Sequence, residues 1–196
     1  MSNTTQENKD SVSVQGVHLF EFYDTTSKHA HAIECAIESL MQTRTMWSDE
    51  EYNNRYAVLI QQLRAFKTRE VLHKNLVPTV GRALLAQRLI GVYTYTGTIN
   101  YGALGTGTAT PANANTQLAT EVFRKVSATV SVSGNVSTFQ FFFTKADTNG
   151  TYQEWGAFID GTASANTGQI FSRLLTGGWT KSSSETMTVL STYTFS

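Results

Sequence analysis

Cysteine, proline and charge are all scarce in this chain of 196 residues. The single cysteine, Cys35, excludes an internal disulfide, and its place among apolar positions of an expected helix predicts a buried thiol. No stretch approaches the ~20 apolar residues that cross a bilayer as a helix, so membrane insertion is not expected. The opening residues, MSNTTQENKDS, lack an apolar centre and do not read as a signal peptide. Charged residues make up 15% of the chain, where roughly a quarter is usual. Serine, threonine, asparagine and glycine supply the polar surface instead. Fifteen basic residues balance fifteen acidic ones. Such a chain has no global field to hold phosphate backbones, so nucleic acid is not an expected partner.

Reaction motifs are missing as well. There is no CxxC, HExxH, GxSxG or GxxxxGK[ST] pattern, so no catalytic residue, metal or cofactor is expected and the chain does not read as an enzyme. His29 and His31 are two residues apart on an expected helix, where their side chains diverge too far to share a metal. His18 and His73 have no local partner that suggests catalysis. Gly102 to Thr108 (GALGTGT) resembles a dinucleotide loop only superficially, because Thr110, Pro111 and Ala112 follow where a helix is required. A turn or a close approach of backbone is expected there. Asp147, Asn149 and Thr151 are spaced like alternate oxygen ligands, but Asp-Thr-Asn-Gly is a strong turn former without them. Glu154 and Asp160 are too ordinary in their spacing to be read as a glycosidase pair.

What is present divides into two textures. Residues 1–91 hold ten basic and ten acidic side chains, and residues 92–196 hold five of each. The expected fold is α+β: N-terminal amphipathic helices followed by an antiparallel β-sandwich-like module. Residues 1–91 would be a helical attachment region with a flexible arm to about Asp10, and residues 92–196 the β module. Val12, Val14, Val17 and Leu19 hint weakly at an extended segment. Ala30, Ile33, Ile37, Leu40 and Met41 recur at helical spacing from a start near Ser27. Ser48 and Glu51 form a capping-box pattern, with Trp47 placed to staple the next helix. Tyr52, Tyr56, Leu59, Ile60, Leu63 and Phe66 give that helix its apolar face, and it is expected to run to about Leu72. A third helix follows Pro78, with Val80, Leu84, Leu85 and Leu89 on one side and Gly91 as its stop.

Beyond Gly91 the period becomes two. Val126, Ala128, Val130 and Val132 alternate with Ser127, Thr129 and Ser131, Ser133-Gly134-Asn135 turns the chain, and Phe139, Phe141 and Phe143 return on one face. Further strands are expected at Tyr152–Ile159, Ile170–Leu175 and Thr186–Phe195, with 161–168 as an exposed connection. Aromatic residues Tyr93, Tyr95, Trp155 and Trp179 lie in glycine-rich surroundings near strand ends. They are the candidate contacts for another subunit or a receptor, with core packing as the competing reading.

From Asn75 onward the chain resembles a recurring structural module of tailed-bacteriophage virions, found in tail, fibre-associated and baseplate proteins. The blocks are NLVPTVGRALLAQRL, INYGALGTGTATPANANTQLATEVFRK, EWGAFIDGTASANTGQIFSRLL and MTVLSTYTF. The resemblance implies a virion structural protein of the tail that self-assembles, with a trimer as one candidate, and docks to other virion proteins. It also implies that Arg124 and Lys125 enter the first long strand. The alternatives are a host-receptor or carbohydrate-binding module of the tail, with a host-surface glycan as partner, and a head decoration or neck protein.

Overall fold

The computed structural model describes residues 13–92 and 94–196, so the expected arm and Tyr93 lie outside the described residues. Eight strands form one sheet. In chain order they are β1 (Val14–Asp24), β2 (Lys67–Lys74), β3 (Ile99–Gly105), β4 (Glu121–Ser133), β5 (Val136–Phe143), β6 (Gly150–Ile159), β7 (Gln169–Lys181) and β8 (Glu185–Phe195). Three helices accompany them: α1 (Lys28–Gln42), α2 (Asp49–Leu63) and α3 (Thr79–Leu89). Every strand pair is antiparallel, and the order across the sheet is β2-β1-β8-β5-β4-β3-β6-β7.

The fold is therefore α+β, but the sheet nearly closes into a barrel instead of forming a sandwich. Its outermost strands, β2 and β7, meet at a seam. Leu76, just past β2, exchanges both main-chain hydrogen bonds with Arg173 of β7, each 2.9 Å. Further along the seam a side chain takes over, the Arg69 guanidinium donating to the Thr180 carbonyl. Gly177 and Gly178, both at positive φ (73° and 86°), bend β7 where a regular ladder would otherwise continue.

The inside of the sheet is filled by rings. Phe20 and Phe22 of β1, Phe141 and Phe143 of β5, Tyr152 and Trp155 of β6, Trp179 of β7 and Tyr193 of β8 belong to one buried cluster. Trp155 sits edge-on to Phe20, Phe141 and Phe143 at centroid distances of 5.3–6.1 Å. Gly102 makes room for it: a Cβ there would lie 2.2 Å from the Trp155 ring. The expected close backbone approach in GALGTGT is thus a seat for an indole. Helix α3 follows Pro78 as expected and buries Leu84 against this core. Gly81 lets it approach the β7 backbone, where a Cβ would meet the Phe171 carbonyl at 2.7 Å.

The helical hairpin lies on the outside. Ser27 caps α1, and the Ser48–Glu51 capping box opens α2 as the sequence pattern requires. Ile33, Ile37 and Leu40 of α1 join Tyr52, Tyr56, Ile60 and Leu63 of α2 over the outward-pointing Tyr23, Ala128 and Phe142. Buried Glu34 pins α1 to the sheet, accepting from the Lys145 amide at 2.6 Å and the Thr186 hydroxyl at 2.8 Å.

Several expectations need correction. Helix α2 does not reach Leu72; it ends at Leu63, and 67–74 becomes β2 because β1 offers a strand edge whose ladder outweighs local helix preference. The division at Gly91 does not separate two cores, since β1 pairs with β8 over eleven residues and lies inside the sheet. Cys35 faces solvent rather than the hairpin core. The valines of β4 do not share one face. The register shifts between Ser127 and Thr129, so Ser127 pairs with inward-pointing Phe141 while Thr129 pairs with Gln140 on the opposite face.

Candidate binding surfaces

Four regions decide what the molecule can contact: the barrel interior, two anchored loops, the hairpin and the β4–β5 tip. The interior is packed with buried side chains. His18 of β1 is fully buried there, with its Nδ1 2.7 Å from the Ser191 hydroxyl and 3.2 Å from the Trp155 indole nitrogen. An indole N–H only donates, so Nδ1 accepts and the ring proton sits on Nε2. Burial pushes the His18 pKa down to about 3, with neighbouring His73 adding to the effect. The Ser172 hydroxyl and Tyr193 hydroxyl pair beside it at 2.6 Å, and burial raises the Tyr193 pKa. A serine–histidine contact is present, and it is buried among aromatic rings. One small mouth of about 70 Å³, lined by Leu85, Phe139, Phe171 and Tyr193, opens toward this region.

On the outer face, two ion pairs hold two loops. Glu154 of β6 and Arg173 of β7 are both buried and meet at 2.6 Å. Glu154 also accepts from the amides of Gly107 at 3.2 Å, Ala119 at 3.0 Å and Thr120 at 2.7 Å. Arg173 donates onward to Asn115 at 2.8 Å and to the Ala109 carbonyl at 2.9 Å. Together they strap down the whole of loop 106–120. Gly105 and Gly107 are needed for this: a Cβ at either would lie within 2.6 Å of the Glu154 carboxylate. Glu121 and Arg124 of β4 act likewise on loop 160–168. Arg124 donates to the carbonyls of Thr162 and Thr167, and Glu121 accepts from the Asn166 amide. The side chain of Gln117 joins the two loops through the Gly168 carbonyl at 3.0 Å.

The sequence candidates are dispersed by the fold. Trp155 is 0% exposed and Trp179 9% exposed, so both rings pack in the core. Trp179 packs on Phe20, Phe22 and Tyr152. Tyr95 is partly buried against the same core, and Tyr93 lies outside the described residues. Glu154 is an anchor, and Asp160 accepts from the Thr96 amide at 2.6 Å. The oxygens of the Asp147 turn are taken by lysines: Lys125 reaches Asp147 at 2.6 Å and Lys181 reaches Asn149 at 2.8 Å.

The helical hairpin carries a groove of about 520 Å³ lined by Ala36, Leu40, Trp47, Arg55, Val58 and Leu59. It faces away from the sheet. The Arg55 guanidinium lies over the Trp47 ring, 4.1 Å from its centroid. Sequence periodicity gave the inner stripe of this hairpin but not the outer groove, because Trp47 was assigned to stapling the helix start. No helix among the described residues is long and apolar enough to cross a membrane, and they contain no cluster of metal-ligating side chains. No protein-family model, curated protein or solved structure matches the chain.

Proposed function

We propose that this chain is a non-catalytic structural component of a tailed-bacteriophage virion, placed on the tail, where it self-assembles and docks to other virion proteins. The observation that carries this reading is the contrast between a filled barrel and an outward-facing hairpin groove. The barrel is packed with buried side chains such as Trp155, Phe141 and Tyr193, whereas the groove at Trp47, Val58 and Leu59 offers apolar surface to a protein partner. The resemblance of four sequence blocks to tailed-phage virion modules supports the same reading, and two of the blocks contain the strapped loops and their anchors Glu121, Arg124, Glu154 and Arg173. Burial of Trp179 weighs against the receptor alternative, which rested on Trp179 together with the 161–168 loop.

Antibody labelling of intact particles tests the role and the location together. Label on the tail is the expected outcome; label on the head or neck moves the chain to a decoration or connector role. Purified particles that lack the chain overturn the proposal.

A further inference from the structure

The β4–β5 hairpin ends in a strand edge to which no described strand is paired, with α2 flanking its first residues. β4 pairs with β3 only from Glu121 to Val126, whereas its ladder with β5 runs on to Ser133 and Val136. Residues 127–133 therefore have β5 on one side and, among the described residues, no strand on the other. The segment reads SATVSVS, without a charge or a proline. Exposed edges in monomeric proteins are normally blunted by lysine, proline or a bulge along their length. Here the bulge comes at the start, between Ser127 and Thr129, and leaves 129–133 regular. In that stretch Val130 and Val132 share one face, opposite Phe139 and Ser137, while Thr129, Ser131 and Ser133 share the other. Val130 is 47% exposed and Val132 74%.

We propose that this edge pairs with the same edge of a second copy, antiparallel, about a twofold axis through Ser131. The residue pattern selects that register. With Ser131 opposite its own copy, Val132 meets the partner's Val130 and Ser133 meets the partner's Thr129, so valines face valines and hydroxyls face hydroxyls. Centring the axis between two residues would oppose the valine face to the hydroxyl face. Centring it on Val130 keeps the faces but drives the ladder into the bulge at Ala128. The β4–β5 hairpin itself carries no charge over 126–143; the charged groups that face 127–131 are Arg44, Asp49 and Arg64 of the helical hairpin, of mixed sign. Pairing satisfies main-chain groups that otherwise need water and covers the two exposed valines. The inference rests on the self-assembly part of the proposed function and not on the identity of the particle.

Light scattering across a concentration series of the purified full chain tests it. A concentration-dependent dimer is expected. The double substitution Val130→Lys with Val132→Lys should weaken it at least about tenfold while leaving the melting temperature of the monomer in place, since both side chains are exposed. Ser131→Cys on a Cys35→Ser background should give a covalent dimer on mild oxidation, because directly opposed residues in an antiparallel pair are ~4.5–5.5 Å apart at Cα. Ser164→Cys, in the 160–168 loop, should not. A monomer at every concentration overturns the proposal, as does a dimer indifferent to the lysines. A monomer on a labelled phage tail removes this interface alone; a dimer absent from particles removes the virion role alone.

Discussion

The two faces of the sheet are buried in different ways. Inside the barrel, rings pack on rings, and the one fully buried histidine, His18, is kept neutral. Outside, burial is achieved by covering charge: Glu154 with Arg173, Glu121 with Arg124, and Glu34 with the hairpin and Lys145. The inner face gains from removing apolar area from water, at roughly 25 cal/mol per Å². The outer face gains little net energy from its ion pairs, because desolvation offsets most of the attraction. What those pairs provide is position, since each carboxylate or guanidinium gathers several loop amides or carbonyls at one point. The interior sets stability, and the exterior sets where the loops sit.

Removing part of the barrel wall should have the largest effect. A chain beginning at Asn75 keeps the blocks that resemble phage modules but loses β1 and β2, and with them Phe20, Phe22 and His18 from the core. We expect it to melt without cooperativity, as followed by circular dichroism. A sharp transition would mean that the six remaining strands form a core of their own.

Next in size is the contrast between faces along one hairpin. Phe141→Asp deletes a fully buried ring, worth about 3–5 kcal/mol, and adds an unpaired carboxylate. Ser131→Asp, at an exposed position, should change monomer stability by no more than about 0.5 kcal/mol. Thermal melting at low protein concentration checks both, and equal effects would erase the distinction between inside and outside.

Glu154→Ala should then cost about 3–5 kcal/mol, because it leaves Arg173 buried without its partner. Replacing both at once, Glu154→Gln with Arg173→Met, should recover much of that stability while releasing loop 106–120. Hydrogen exchange at Gly107, Ala119 and Thr120 reads the release. Unchanged protection of those amides in the double variant would show that the pair does not position the loop.

The smallest effect concerns acid. The folded pKa of His18 lies near 3, below its ordinary value near 6.5, so the unfolded chain binds a proton in this window that the folded chain does not. The His18 contribution is complete above about pH 6.5 and falls by up to about 1.4 kcal/mol per pH unit on acidification toward 3. Denaturant melts at pH 7 and pH 4.5 should differ less in His18→Gln than in the wild type. An identical pH dependence in both would remove His18 as the cause.

The hairpin Ser133-Gly134-Asn135, the inward set Phe139, Phe141 and Phe143, the capping box at Ser48 and the third helix after Pro78 were all legible in the sequence, and all are found. Each is a local signal, a period or a cap spanning a few residues. The candidate contacts were not legible in the same way. An aromatic ring beside glycine reads alike whether the glycine frees a loop or, like Gly102 under Trp155, seats an indole.

The chain by itself determined where helices start, which residues alternate and that charge would be scarce, because these follow from spacing and composition. Only the tertiary structure decided that Lys67–Lys74 is a strand, that Val14–Asp24 lies within the sheet, and that Glu154 meets Arg173 across neighbouring strands. Those outcomes depend on partners between 19 and 181 residues away, and no window of local sequence contains the hydrogen-bond ladder or the counter-charge that stabilises them.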